Sequence, residues 1–172
     1  MSRDSSLVFL PSQLAEGSNH FEIEANVDEL DLGKYTFLEP LSCHIVLVRT
    51  SDRIDLHLDL KTCIELECSR CGEPTDYSVG TSADVTFLPE AKGQGEDLEA
   101  EATDLESYTG EVDLRDVVRD TFLLALPVAP LCREDCRGLC PSCGANLNRE
   151  SCKCNTRLKP SPFEKLRRLV DG

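Results

Sequence analysis

Six cysteines, Cys132, Cys136, Cys140, Cys143, Cys152 and Cys154, crowd into residues 132–154 of a chain of 172 residues. Two more, Cys68 and Cys71, form a close pair far upstream. Together they make four short motifs: CSRCG, CREDC, CPSCG and CKC. In an oxidising compartment so many cysteines predict disulfides, whereas in a reducing one close pairs read as metal ligands or redox groups. The stretch from Met1 to Leu10 contains Asp4 and lacks the basic-then-apolar order of an export signal. No apolar run approaches the roughly 18 residues that a membrane helix needs. A cytoplasmic, reducing setting without a membrane span is therefore expected.

Both CxxCG motifs have the form of a zinc knuckle. The turn lets two thiolates approach one ion, and the glycine after it tolerates a backbone that a Cβ would block. CPSCG followed by CKC offers four thiolates from one short stretch: Cys140, Cys143, Cys152 and Cys154. Zinc takes four sulfurs tetrahedrally and needs no further chemistry to be structural. Cys68 and Cys71 then join Cys132 and Cys136 in a second group of four, across 60 intervening residues. Two structural zinc ions are the expected cofactors. In an alternative arrangement Cys132 and Cys136 join Cys140 and Cys143, leaving the other pairs weak or empty. Iron–sulfur ligation and thiol redox chemistry at Cys68 and Cys71 are competing uses of the same residues. Cys43 and Cys63 stand apart from the pairs.

Charge divides the chain at the same place. Residues 1–131 carry 9 basic and 27 acidic side chains, a balance of -18, whereas residues 132–172 carry 9 basic and 5 acidic, a balance of +4. The acidic part repels nucleic acid at long range and attracts basic proteins. The basic part offers Arg133, Arg137, Arg149, Lys153, Arg157, Lys159, Lys165, Arg167 and Arg168 to a phosphate backbone. Only Phe163 is aromatic there, so base stacking has little to work with.

Hydrophobic residues make up 40% of the chain, enough for a core. Residues 1–20 read as a loose arm. Phe21, Ile23, Ala25 and Val27 alternate with polar residues, and Leu41–Arg49 is strongly β-prone. Ile54, Leu56, Leu58 and Leu60 alternate cleanly, and Ile64, Leu66 and Cys68 resume after a possible bulge. Tyr77, Val79, Val85 and Phe87 predict a return strand. Residues 89–111 hold eight acids and one lysine and read as a mobile insertion whose end Leu105 and Tyr108 anchor. A helix over 113–126 is predicted, capped by Asp113, with Leu114, Val117, Val118, Phe122 and Ala125 as its apolar stripe and Pro127 as its stop. Ser161, Pro162 and Glu164 signal a second helix. The expected class is α+β: an antiparallel curved sheet or partly open β-barrel over 21–131 with a packed helix. A basic cysteine-rich zinc module with a terminal helix follows over 132–172.

His20, His44 and His57 are the only histidines, and no nucleophile elbow or phosphate loop is present, so an enzyme lacks support. The order CSRCGEP, then DLRDVVRDTFLLALPVAPLCREDCRGLCPSCGANLN, then CKC and PFEKLRRL resembles the YceD family of large ribosomal RNA subunit accumulation proteins. The likeness runs in order from Phe21 to Leu169 and is specific from Cys68 to Pro74 and from Asp113 to Leu169. It implies a role in accumulation of large-subunit ribosomal RNA and carries no catalytic residue with it. The partner implied is ribosomal RNA itself or a basic large-subunit ribosomal protein, with no small-molecule substrate. The acidic body favours a non-catalytic adaptor that contacts the protein. Direct RNA binding through the basic tail, or a thiol enzyme, are the alternatives.

Overall fold

A computed structural model describes residues 7–90 and 104–154. Among the described residues, eight strands and one α-helix succeed one another, with a short 3-10 turn (Pro11–Gln13) after the first strand: β1 (Val8–Phe9), β2 (Gly17–Ala25), β3 (Thr36–Phe37), β4 (Leu41–Arg49), β5 (Ile54–Glu67), β6 (Pro74–Pro89), β7 (Asp104–Tyr108), β8 (Val112–Asp113) and α1 (Arg115–Leu124). The main sheet runs β2-β4-β5-β6-β7, with β3 on the far half of β5, and it is open rather than closed into a barrel. Its strands pair antiparallel except β6 and β7, which are parallel. A parallel neighbour requires a crossover of a dozen or more residues. The end of the stretch read as a mobile insertion is strand β7 itself, with Leu105 paired to Thr86 and Tyr108 to Pro89, while residues 91–103 lie outside the described residues.

Long β5 and β6 pair without interruption from Ile54↔Phe87 to Glu67↔Pro74. No bulge interrupts β5, because Thr62 occupies the inward position between Leu60 and Ile64. Buried to 5% exposure, Thr62 donates its hydroxyl to the Glu39 carbonyl at 2.8 Å, which satisfies the one polar group in an otherwise apolar row. The other face of the sheet is wet: Glu22, His44, His57, Glu65, Asp76 and Asp84 are all exposed.

Helix α1 lies against the dry face. Val118 and Phe122 are fully buried, and the Phe122 ring meets Tyr35 at 5.5 Å and Phe37 at 5.4 Å. Burying a ring of this size stabilises the fold by about 2 to 3 kcal/mol. Asp113 sits one residue before the helix cap, which is Leu114 and makes no side-chain cap bond. Leu114 is instead drawn into the core, its N–H donating to the Leu7 carbonyl at 2.9 Å, while Asp113 accepts the Arg115 backbone N–H at 3.0 Å. The expected loose arm is structured from residue 7: Leu7 and Leu14 are buried, β1 pairs with β8, and β2 begins at Gly17. Burial pushes the thiol of Cys43, inside the core, up to about 12. The predicted second helix at 161–170 lies outside the described residues. Among the described residues no helix is long and apolar enough to cross a membrane.

Candidate metal centres

The β5–β6 hairpin turns through CSRCGE, so Cys68 and Cys71 sit at its tip. Cys68 N–H donates to the Glu73 carbonyl and Gly72 N–H to the Cys68 carbonyl, both at 2.8 Å. CPSCGA repeats the pattern: Cys140 N–H donates to Ala145 at 2.8 Å and Gly144 N–H to Cys140 at 2.9 Å. Pairing continues outside each turn, Glu67 with Pro74 and Leu139 with Asn146. Both glycines hold a positive φ, 71° and 74°, where a Cβ is disfavoured. One local fold thus appears twice, and each copy aims two sulfurs to the same side.

Each knuckle meets a second pair. The sulfurs of Cys68, Cys71, Cys132 and Cys136 all lie within 4.8 Å of one another, and so do those of Cys140, Cys143, Cys152 and Cys154. The first group includes Cys68···Cys136 and Cys71···Cys132, each at 3.7 Å. Four sulfurs at about 2.3 Å from a central ion stand about 3.8 Å apart at the corners of a tetrahedron, so these separations suit one ion. Covalently bonded sulfurs would be about 2.05 Å apart. In a cluster the four cysteines are shared out among two or four irons, which spreads the sulfurs wider than one ion does. Both groups of four can therefore hold a metal ion. Cys132 and Cys136 group with Cys68 and Cys71, not with Cys140 and Cys143.

Electrostatics favours a cation at each centre. Burial pushes the Cys132 thiol up to about 12, helped by the Cys136 and Cys71 sulfurs beside it. Backbone N–H groups of Cys132, Arg70 and Cys71 draw Cys68 down to about 6. In the local group the N–H groups of Cys143 and Ser142 draw Cys140 down to about 6, while the Cys143 sulfur pushes Cys154 up to about 12. Packed thiolates repel, and a divalent ion removes that repulsion for the whole set.

The two centres are joined by residues that pair spacing does not reveal. Asn148, in the loop of the local module, donates Nδ2–H to the Cys136 sulfur at 3.2 Å, which holds that thiol below its ordinary range. Its Oδ1 accepts from the Arg137 N–H at 2.8 Å and the Arg133 guanidinium at 2.9 Å. Arg70, at the hairpin tip, donates to the Cys136 carbonyl at 2.9 Å and accepts the Leu139 N–H at 3.2 Å. Gly138 (φ 69°) passes so close that a Cβ there would lie 2.9 Å from the Arg70 oxygen. Ser69 N–H donates to the Pro130 carbonyl at 2.8 Å, tying the tip to the chain after α1. The one sequence signal for Asn148 was its place in a polar GANLN turn between two cysteine pairs.

The expected phosphate contacts divide. Arg133, Arg137, Arg149 and Lys153 are exposed on the cysteine-rich module. Arg149 stands beside Glu73 at 2.6 Å and Arg133 beside Asp135 at 3.3 Å, so two of these four cations have a carboxylate neighbour. Arg157, Lys159, Lys165, Arg167 and Arg168 lie outside the described residues.

Against known proteins, the profile of the family described as large ribosomal RNA subunit accumulation protein YceD matches residues 56–170. A chloroplastic YCED homolog 1 of Arabidopsis thaliana, named for large ribosomal RNA subunit accumulation, is 24% identical over 81% of this chain and 51% of its own. The protein so named in Haemophilus influenzae is 37% identical over 40% of this chain and 39% of its own. An uncharacterized protein of Mycobacterium tuberculosis is 35% identical over 49% of this chain and 40% of its own. The chain spans about half the length, or less, of these curated relatives. No solved structure matches it.

Proposed function

Since this chain belongs to the YceD family of large ribosomal RNA subunit accumulation proteins, we propose that it supports accumulation of large-subunit ribosomal RNA as a non-catalytic adaptor. Its acidic body contacts a basic large-subunit ribosomal protein. Zinc fills both cysteine centres and fastens the cysteine-rich module to the hairpin tip, a structural use that requires a reducing compartment.

The distribution of charge carries this reading. A balance of -18 over residues 1–131 coincides with a sheet face on which Glu22, Glu24, Glu65, Glu67, Asp76 and Asp84 stand in water. Such a face attracts cationic proteins and repels phosphate. Arg149 and Arg133, which would otherwise compensate, are engaged with Glu73 and Asp135.

A pull-down with the full chain under reducing conditions, with and without ribonuclease, tests the adaptor. Retention of a large-subunit ribosomal protein after ribonuclease is the expected result, and loss of every ribosomal partner after digestion overturns it. Direct RNA recognition is the second reading, favoured by the +4 balance of residues 132–172. Titration of ribosomal RNA fragments at several salt concentrations decides it, since phosphate contacts give a steep salt slope. No binding by the intact chain at low salt defeats that reading.

A further inference from the structure

Between α1 and strands β6 and β7 runs a groove of about 460 Å³. Its apolar lining comes from Val85, Leu105, Val117 and Leu124, and its acidic lining from Glu106, Asp116 and Asp120. Leu124 is 87% exposed although it lies within the amphipathic helix, and Leu105 is 46% exposed on β7. The two leucines stand on opposite walls of the groove, Leu124 on α1 and Leu105 on β7. Arg119 lies between Asp116 (3.1 Å) and Asp120 (3.2 Å), so these two carboxylates share one guanidinium and, with Glu106, the rim keeps a net negative charge.

We propose that this groove is the docking site for a basic segment of a partner protein, which seats an apolar side chain against Leu124 and Leu105 and places lysine or arginine on the acidic rim. The inference rests on the adaptor reading and gives it a location. Charge selects the occupant. Carboxylates on the rim repel a phosphate backbone, while the apolar walls give a purely polar cation nothing to cover. A segment combining cations with an exposed apolar residue satisfies both parts, as in other interfaces where an apolar centre is ringed by complementary charge. The chain's own basic residues beyond 154 are the competing occupant.

The test uses the full chain, loaded with zinc and kept reduced, and proteins extracted from purified large ribosomal subunits as the probe. Proteins retained after nuclease treatment are identified, purified and titrated individually. Leu124→Lys removes the apolar wall and adds a repelling charge at a position already in water, so folding is preserved. Leu38→Lys places the same charge on another exposed leucine, away from the groove. Leu124→Lys should weaken binding by about tenfold or more, as loss of an interface anchor does, with Leu38→Lys unchanged. Asp116→Asn with Asp120→Asn should weaken binding and flatten its salt dependence. If the wild-type chain and Leu124→Lys bind the same protein equally, the groove is not the site and the adaptor reading stands. If the wild-type chain retains none of the extracted proteins, the adaptor reading fails and the proposed occupant with it. If Leu124→Lys instead raises amide exchange in residues 155–172 without weakening partner binding, the groove belongs to the chain's own end and the proposal is overturned.

Discussion

Replacing either of two glycines by alanine separates the cost of backbone conformation from the cost of crowding at the long-range cysteine centre. Gly72 and Gly138 hold nearly the same φ, 71° and 69°. A Cβ on Gly72 meets nothing within 4 Å, whereas one on Gly138 lies 2.9 Å from the Arg70 oxygen and 3.3 Å from the Arg70 Cβ. Gly72→Ala therefore bears only the left-handed penalty, about 1 kcal/mol. Gly138→Ala bears that penalty and also pushes Arg70 away. Its carbonyl then releases the Leu139 N–H and its guanidinium the Cys136 carbonyl, at about 1 kcal/mol for each bond. If the closed site takes the full cost, zinc affinity falls about fivefold for Gly72→Ala and about a hundredfold for Gly138→Ala. Chelator competition under reductant measures this in a Cys143→Ser background, where the long-range group is the one intact set of four among the described residues. Equal losses for the two variants would refute the close approach of Gly138 to the hairpin tip.

Four further outcomes are expected. Elemental analysis of reduced protein should give two zinc ions per chain; by hydrogen exchange, Cys143→Ser should loosen the cysteine-rich module alone and Cys71→Ser the hairpin as well. Thr62→Val should lower stability by about 1 kcal/mol in denaturant titration, because the Glu39 carbonyl loses its donor. His57 should titrate above its ordinary range, because it hydrogen-bonds Asp84 at 2.7 Å and also feels the Asp84 and Asp59 charges. Its folded-state pKa is raised, so its contribution to stability is full below the unfolded value of about 6.5 and is lost as pH rises through the folded value. An imidazole NMR titration that Asp84→Asn leaves unmoved would contradict this cause.

Local periodicity made the strands legible, and long-range pairing was where it ran out. Parity along β5 was readable from Ile54 to Leu66 once threonine is allowed an inward place. A hydroxyl needs a partner before it can sit there, and Glu39 is distant in sequence. Nothing local marks Leu7 and Leu14 as buried, since isolated leucines in a polar stretch acquire burial only from the elements they meet. The parallel β6–β7 pair was similarly hidden, because register across a crossover is set by the sheet and not by either strand. Asp113 had the composition of a cap, yet burial of Leu114 shifted the helix start past it. Knuckle spacing grouped the sulfurs, while Asn148, Arg70 and Gly138 emerge only from the way one knuckle rests on the other. Arg149 reads in the sequence as a lone cation, and the Glu73 carboxylate beside it comes into view only in the fold.

Joining Cys71 to Cys132 across 61 positions has a consequence for synthesis. At about 5 to 20 residues per second, the tip of the hairpin waits roughly 3 to 12 s before the other half of its clamp is even made. During that interval β5 and β6 hold together by their own pairing, with two thiols exposed to whatever ions or oxidants are near. A metal ion that arrived early would find half a site, and only the late-made segment would complete it. Metal scarcity would thus leave newly made chains with a finished sheet and an unlatched end, distinguishable from unfolded protein by intact strand protection.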